Sequence, residues 1–371
     1  MSAINKTKVQ GVFFSGMLTF LVLVLLQGCG RADVKEEALG PISTEDFDFA
    51  VNDLETNYSG FQFKVNEGNR AEYDALKENL RNQILDGTVP EFDAVAMLFS
   101  YFRDNHLATQ GEGHEKYRKK SVEFSEKKYW PMPLATKVSS KTFLIRYPTC
   151  QDKVLGIDWT TESVQKFLDS GCENLILDIR GNGGGQDYVY TPYIRLLYDH
   201  PGNGDGTLFY DTETNRKQME IYFPGMYEET PLSKEEGPSN QLVFFGDFPI
   251  VFNMESSPLP KKAVILIDKG VASSGEQLVL DARSCSDRVI VYGRDNTKGC
   301  LDFSSWRLGQ LPKSGGFYQM PMTVSTRVLE GRGIDEEGIA PDVRVNWRPP
   351  RKLTDNIDSW AKKIAKELEK K

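Results

Sequence analysis

The sequence predicts an α/β protein with a helical N-terminal part, and three observations carry that expectation. Near-continuous apolar runs at "KTFLIRYP", "ENLILDIR" and "KKAVILID" read as strands buried on both faces, as parallel strands are. Helix-patterned stretches such as "TESVQKFLDSG" alternate with them, the order that builds a parallel sheet with crossover helices. Ahead of these, apolar residues recur at three- and four-residue spacing between Phe47 and Phe102. The chain has 371 residues, enough for one large or two modest domains with a substantial core. Its 39% hydrophobic and 26% charged content reads as globular. A net charge of −8 leaves no basic stripe to neutralise phosphates, so no nucleic-acid partner is expected.

Taken in chain order, residues 1–28 are read as a signal peptide. Lys6 and Lys8 precede an apolar stretch from Val12 to Leu26 that is short for a membrane-spanning helix. Its end, Leu26-Gln27-Gly28-Cys29, resembles a bacterial lipobox. That resemblance implies cleavage before Cys29 and lipidation of its thiol, which would tether the chain to a membrane without spanning it. Gly30 stands where an aspartate would favour inner-membrane retention, so the outer membrane of the cell envelope is the expected destination. Residues 29–42 then read as a polar linker. Stripes at Phe47/Val51/Leu54/Tyr58, Tyr73/Leu76/Leu80/Ile84 and Phe92/Val95/Phe99/Phe102 predict three helices in a domain over 43–125. Pro90 opens the third. The basic run at residues 115–120 reads as a solvated face. The α/β core is expected over 126–349, with strands at "KKAVILID" and "DRVIVYG" flanking a helix that begins near Ser273. Ile357, Trp360, Ala361, Ile364 and Leu368 predict an amphipathic helix in 350–371.

Two segments carry candidate chemistry. "RGNGGGQD" places Gly181, Gly183, Gly184 and Gly185 just past a buried strand, where a backbone without side chains can be approached closely. It lacks the GK[ST] of a phosphate loop and the GxGxxG of a dinucleotide site. Either it is a structural turn or its N–H groups face an oxyanion. "KGVASSGEQLVL" contains Ser273-x-x-Glu276, a capping box in its bland reading and a nucleophile at a helix start in the sharper one. Cys150, Cys172, Cys285 and Cys300 show no metal-binding spacing. They are read as structural or free, and an exported chain permits disulfides among them in any of three pairings. No cofactor, metal or nucleotide is implied.

In order, "NLILDIRGNGGG", "AVILIDKGVASSGE", "VIVYGRDNTKGCLDF" and "GIDEEGIAPDV" resemble the S41 serine peptidases, which include tail-specific and carboxy-terminal processing proteases and the tricorn core. The resemblance implies a crotonase/ClpP-like α/β spiral core. It also implies a nucleophile at Ser273 and oxyanion donors from Ser274 and from Gly183 or Gly184. Two base assignments follow from different branches: Lys298 in "NTKG", or His106 in "FRDNHLAT" with Asp335 of "GIDEEGIAPD" as its orienting acid. "NTKG" lacks the full pattern of the lysine branch, and Leu107 stands where the histidine branch usually has threonine or serine. The stretch between about 107 and 140 is too short for the PDZ domain usual in the lysine branch, which favours His106. The implied activity is a serine endopeptidase acting through an acyl-enzyme on peptide or protein substrates. A catalytically silent peptide- or ligand-binding lipoprotein is the alternative. A crotonase-like acyl-CoA enzyme would fit the fold but suits an exported chain poorly.

Overall fold

The computed structural model describes residues 43–110, 131–222, 237–245 and 250–370. The signal segment, Cys29, the linker to residue 42 and the basic run at 115–120 lie outside the described residues. The strands are β1 (Ala108–Thr109), β2 (Leu134–Lys137), β3 (Thr142–Arg146), β4 (Asn174–Asp178), β5 (Gly202–Gly204), β6 (Thr207–Tyr210), β7 (Leu242–Phe244), β8 (Ile250–Phe252), β9 (Lys262–Ile267), β10 (Val289–Gly293), β11 (Phe303–Gln310), β12 (Phe317–Ser325) and β13 (Val343–Arg344). The longer helices are α1 (Glu45–Asn57), α2 (Arg70–Leu85), α3 (Glu91–Tyr101), α4 (Ile157–Asp169), α5 (Thr191–Leu197), α6 (Glu213–Tyr222), α7 (Ser274–Cys285) and α8 (Ser359–Leu368).

The principal sheet runs β13-β10-β9-β4-β3-β2. It is parallel from β13 to β3, and β2 joins its edge antiparallel. Side-chain alternation divides its strands between two cores. Phe143, Ile145, Leu175, Leu177, Ile265 and Ile267 face one core with Phe167 of α4, Tyr193 of α5 and Leu278 of α7. Leu144, Ile176, Val264 and Leu266 face the other, against Trp360, Ala361, Ile364 and Leu368 of α8. Both faces are covered, which is why these strands read as unbroken apolar runs instead of alternating ones.

A second, antiparallel sheet runs β1-β12-β6-β7, with β11 paired to β12. The three expected N-terminal helices form, and they share their core with this sheet: Phe47, Leu54, Tyr73 and Phe99 pack with Leu311, Tyr318 and Met320. The join is also polar. Buried Asp53 accepts from Arg307 and from the Tyr318 hydroxyl. The four cysteines within the described residues are buried free thiols. No described helix is long and apolar enough to cross a membrane.

Where β4 ends, a buried ion network sets the exit of the chain. Asp178 accepts from Arg146 Nε at 2.9 Å and from Arg180 Nε and Nη2 at 2.7 Å each. Asp358, the cap of α8, accepts from Arg180 Nη2 at 2.7 Å. The Arg180 guanidinium also lies 5.3 Å from the Trp360 ring centroid. α8 thereby grips the base of the glycine loop. Removing the central anion leaves two buried guanidinium groups undercompensated, so Asp178→Ala should cost about 3–5 kcal/mol. Chemical denaturation measures this, and a loss below about 1 kcal/mol would remove the network from the fold's supports.

Candidate active site

The loop after β4 is built around Asn182, whose side chain is fully buried. Its Nδ2 donates to the Tyr147 carbonyl at 3.0 Å, its Oδ1 accepts from the Gly184 N–H at 3.0 Å, and its carbonyl accepts from the Ala272 N–H at 2.9 Å. The last bond lays the loop against the residue before Ser273. Gly184, at φ +97°, is in the left-handed region, and a Cβ there would stand 2.7 Å from Ser273 Cβ and 2.9 Å from the Ala272 carbonyl oxygen. A glycine is required at this position by both backbone conformation and space.

Ser273 precedes α7 with φ 53° and ψ −126°. That conformation is costly for a residue with a Cβ and persists only where its surroundings over-determine it. Three bonds do so here. Its N–H donates to Glu276 Oε2 at 3.1 Å and to the Cys300 carbonyl at 3.0 Å, and its own carbonyl accepts from Glu276 N–H at 2.7 Å. Ser274 Oγ donates to the Gly185 carbonyl at 2.9 Å, closing the loop onto the helix. Among the described residues, the N–H groups of Gly183 and Ser274 meet no acceptor. Gly183 faces open space, beside the positive end of the 12-residue helix. Gly184, the other expected donor, is already spent on Asn182 in this geometry.

Glu276 does more than cap. Fully buried, it accepts from the Thr297 hydroxyl at 2.6 Å, Gly299 N–H at 2.7 Å and Cys300 N–H at 2.9 Å as well as from Ser273. Burial raises its pKa above the usual glutamate value, and the donors pull the other way. This carboxylate fastens segment 297–300, with Lys298 in it, to the serine. Lys298 N–H donates to the Val271 carbonyl at 2.8 Å. Its side chain is half-buried, and its ammonium meets no acceptor among the described residues.

His106 is buried beside Cys300. Its Nδ1 lies 2.6 Å from the Phe303 carbonyl oxygen. A carbonyl can only accept, so Nδ1 carries a proton, and in a neutral imidazole that leaves the lone pair on Nε2, the tautomer a base needs. Cys300 Sγ is 3.6 Å from both ring nitrogens. Equal distances of that size put the sulfur over the imidazole face, since an in-plane position would overlap Cε1. Asp104 Oδ1 accepts the His106 backbone N–H at 2.8 Å, and its Oδ2 accepts from the Tyr58 hydroxyl at 2.7 Å.

Asp335 does not meet the imidazole. Its Oδ1 accepts from Leu301 N–H at 2.7 Å and Asp302 N–H at 2.8 Å, while Oδ2 is buried with no hydrogen-bond partner. Burial first, then the Asp104 and Asp302 carboxyls, raise its pKa to about 8. The part expected of Asp335, holding Nδ1, is taken by the Phe303 carbonyl. Ser273 Oγ has no hydrogen bond to His106 or Lys298. The sequence assigns no site role to Asp104 or Phe303 and reads Cys300 only as a structural or free thiol. A main-chain carbonyl leaves no residue-type signal, although Asp104 stood in the quoted "FRDNHLAT".

Residues 141–345, more than half of the chain, match peptidase family S41. The chain belongs to that family, whose members act on proteins or peptides. No curated protein matches it. A solved structure of a candidate peptidase from Parabacteroides merdae aligns with TM-score 0.50 at 16% identity, covering 81% of this chain and 89% of its own. At that identity the likeness speaks for the fold alone. A lipoprotein from Streptococcus agalactiae aligns with TM-score 0.45 at 13% identity, covering 84% of this chain and 95% of its own. For the photosystem II D1 C-terminal processing protease the values are 0.36 and 19%, with 57% and 45% covered.

The contact between Gly184 and Ser273 makes a sharp prediction. Gly184→Ala should lower stability by about 1–3 kcal/mol through strain and overlap, whereas Gly183→Ala, with open space at its Cβ, should stay within about 0.5 kcal/mol of the parent. Thermal unfolding of the two variants checks the contrast.

Proposed function

We propose that this chain is a serine endopeptidase that cleaves peptide bonds through an acyl-enzyme, tethered to the bacterial envelope by lipid on Cys29. The observation that carries the reading is Ser273 itself. A non-glycine residue at φ 53° stands at the mouth of a helix, with a glycine pressed against its Cβ and two N–H groups left without acceptors beside it. Nothing in an ordinary helix cap requires that strain.

In this mechanism Ser273 Oγ attacks the scissile carbonyl while His106 Nε2 takes its proton and returns it to the leaving amine. The Nδ1–H stays on the Phe303 carbonyl throughout, which holds the ring and the tautomer. The tetrahedral oxyanion rests on the Gly183 and Ser274 N–H groups, where the dipole of α7 favours negative charge. Water then releases the acyl group. Lys298, half-buried in the segment that Glu276 fastens to Ser273, is the rival base. The absence of a bond from Ser273 Oγ to either base supports the second reading, a catalytically silent peptide-binding lipoprotein. Catalytic hydrogen bonds often tighten only when substrate arrives, so that absence alone does not displace the first.

A fluorophosphonate probe separates the readings. The enzyme should label stoichiometrically and Ser273→Ala should not; a folded protein that never labels is the silent binder. On one cleavable peptide, His106→Ala should lower kcat by about 10²–10⁴-fold, the usual contribution of a general base, and Lys298→Ala by far less. The reverse ranking transfers the base to Lys298. For the anchor, cells fed an alkynyl fatty acid should incorporate it into the parent and not into Cys29→Ala, and fractionation should place the lipidated form in the outer membrane.

A further inference from the structure

The turn 334–338 is bound to segment 296–303 by an unusually reciprocal set of contacts. Asp335 Oδ1 takes the amides of Leu301 and Asp302, while Asp302 Oδ2 takes the amides of Ile334 and Asp335 at 2.6 and 2.7 Å. Thr297 exchanges bonds with Ile339 on the flank, and a Cβ on Gly299 would lie 2.7 Å from Glu336 N. The two carboxyls differ in their surroundings. Asp302 Oδ1 also makes no hydrogen bond, but it lies 3.4 Å from Arg327 Nε, so a cation stands beside it. Asp335 Oδ2 is buried with no donor.

The groups facing Asp335 are mostly acidic. Asp104 approaches from the loop after α3 and Asp302 from the start of β11, with Tyr58 at the end of α1 hydrogen-bonded to Asp104. On the 298–300 segment stand Cys300 and Lys298, whose charge acts on the Cys300 thiol. The neighbouring Glu336 faces outward to Arg103 and Lys64. An anion at Asp335 would therefore add a third carboxylate to a buried cluster and leave one oxygen unsolvated. A neutral carboxyl keeps both amide bonds on Oδ1 and avoids that cost.

We propose that Asp335 is a positioning residue that works in its neutral form. Its carboxyl clasps the Leu301 and Asp302 amides, and so fixes the next residue's carbonyl, Phe303, on His106 Nδ1. Its hydrogen bonds go to those two amides and not to the imidazole. The proposal rests on the reading of His106 as base, and it differs from a triad acid in what an isosteric amide should do. An ionised orienting aspartate loses about 10⁴-fold in kcat when replaced by asparagine. Here asparagine retains the oxygen that accepts both amides and carries no charge.

The test compares the full-length parent with Asp335→Ala and Asp335→Asn on one peptide across pH 5–10. The alanine variant should fall at least about tenfold in kcat/KM, and the asparagine variant should restore the rate to within about threefold of the parent. The parent's rate should decline as pH rises past about 8, where Asp335 ionises, and that decline should be absent in Asp335→Asn. An asparagine variant as impaired as alanine, or down by about 10³-fold, overturns the proposal. A second measurement does not depend on peptidase activity. A carboxyl whose folded pKa is raised contributes stability that is full below its unfolded value and is lost as pH rises toward the folded one. The melting temperature of Asp335→Asn relative to the parent should therefore increase from pH 5 to pH 8. A flat difference overturns the neutral clasp, and a parent that neither cleaves nor labels counts against the endopeptidase reading alone.

Discussion

The buried carboxylate of Glu276 is the constraint on which the rest of the site depends. It gathers four donors, from Ser273, Thr297, Gly299 and Cys300, into one point at the first turn of α7. Hydrogen bonds to a buried anion are strong in proportion to its need, because each unmet lone pair would carry the desolvation cost alone. Three of the four donors belong to a segment more than twenty residues downstream, so one side chain sets both the strained serine and the wall opposite it. From that wall the order propagates outward. The Cys300 carbonyl returns to the Ser273 N–H, the Cys300 sulfur covers the His106 ring, and the Phe303 carbonyl holds Nδ1.

The other half of the site is supported from beneath the sheet. Asp178, Arg146, Arg180 and Asp358 form a buried network that ties the end of β4 to the cap of α8. The glycine loop starts at the next residue, so its register against Ser273 depends on a helix whose cap, Asp358, lies 85 residues beyond that serine. Asn182 then converts register into contact, by holding Tyr147, Gly184 and Ala272 with three different groups. The paired polar networks confine the loop, and among the described residues they leave the Gly183 and Ser274 N–H groups without acceptors beside Ser273.

The helix start at Ser273 was legible because its capping box to Glu276 is local in the chain. The apolar runs of β3, β4 and β9 were legible for the same reason, burial on two faces being written in consecutive residues. The contacts of Asp335 were not legible: it binds the Leu301 and Asp302 amides in place of the expected imidazole. Its motif marks a tight turn, but which groups that turn touches depends on two segments arriving from elsewhere. The acceptor on His106 Nδ1 is a main-chain carbonyl, which every residue has and no sequence pattern distinguishes. The helical unit read as separate from the core because its stripes are self-contained, whereas Tyr318, Met320 and Arg307 reveal their part in it only when β11 and β12 fold against it.

What the sequence determined by itself was the class of fold, the helix start that bears the serine, and the family to which both belong. These follow from periodicity and short-range chemistry, which operate over a few residues. The tertiary structure alone decided which acceptor orients the histidine, which glycine N–H remains available, and why Glu276 is more than a cap. Those are outcomes of buried polar groups competing for partners, and the competition is settled only when distant segments share one desolvated space.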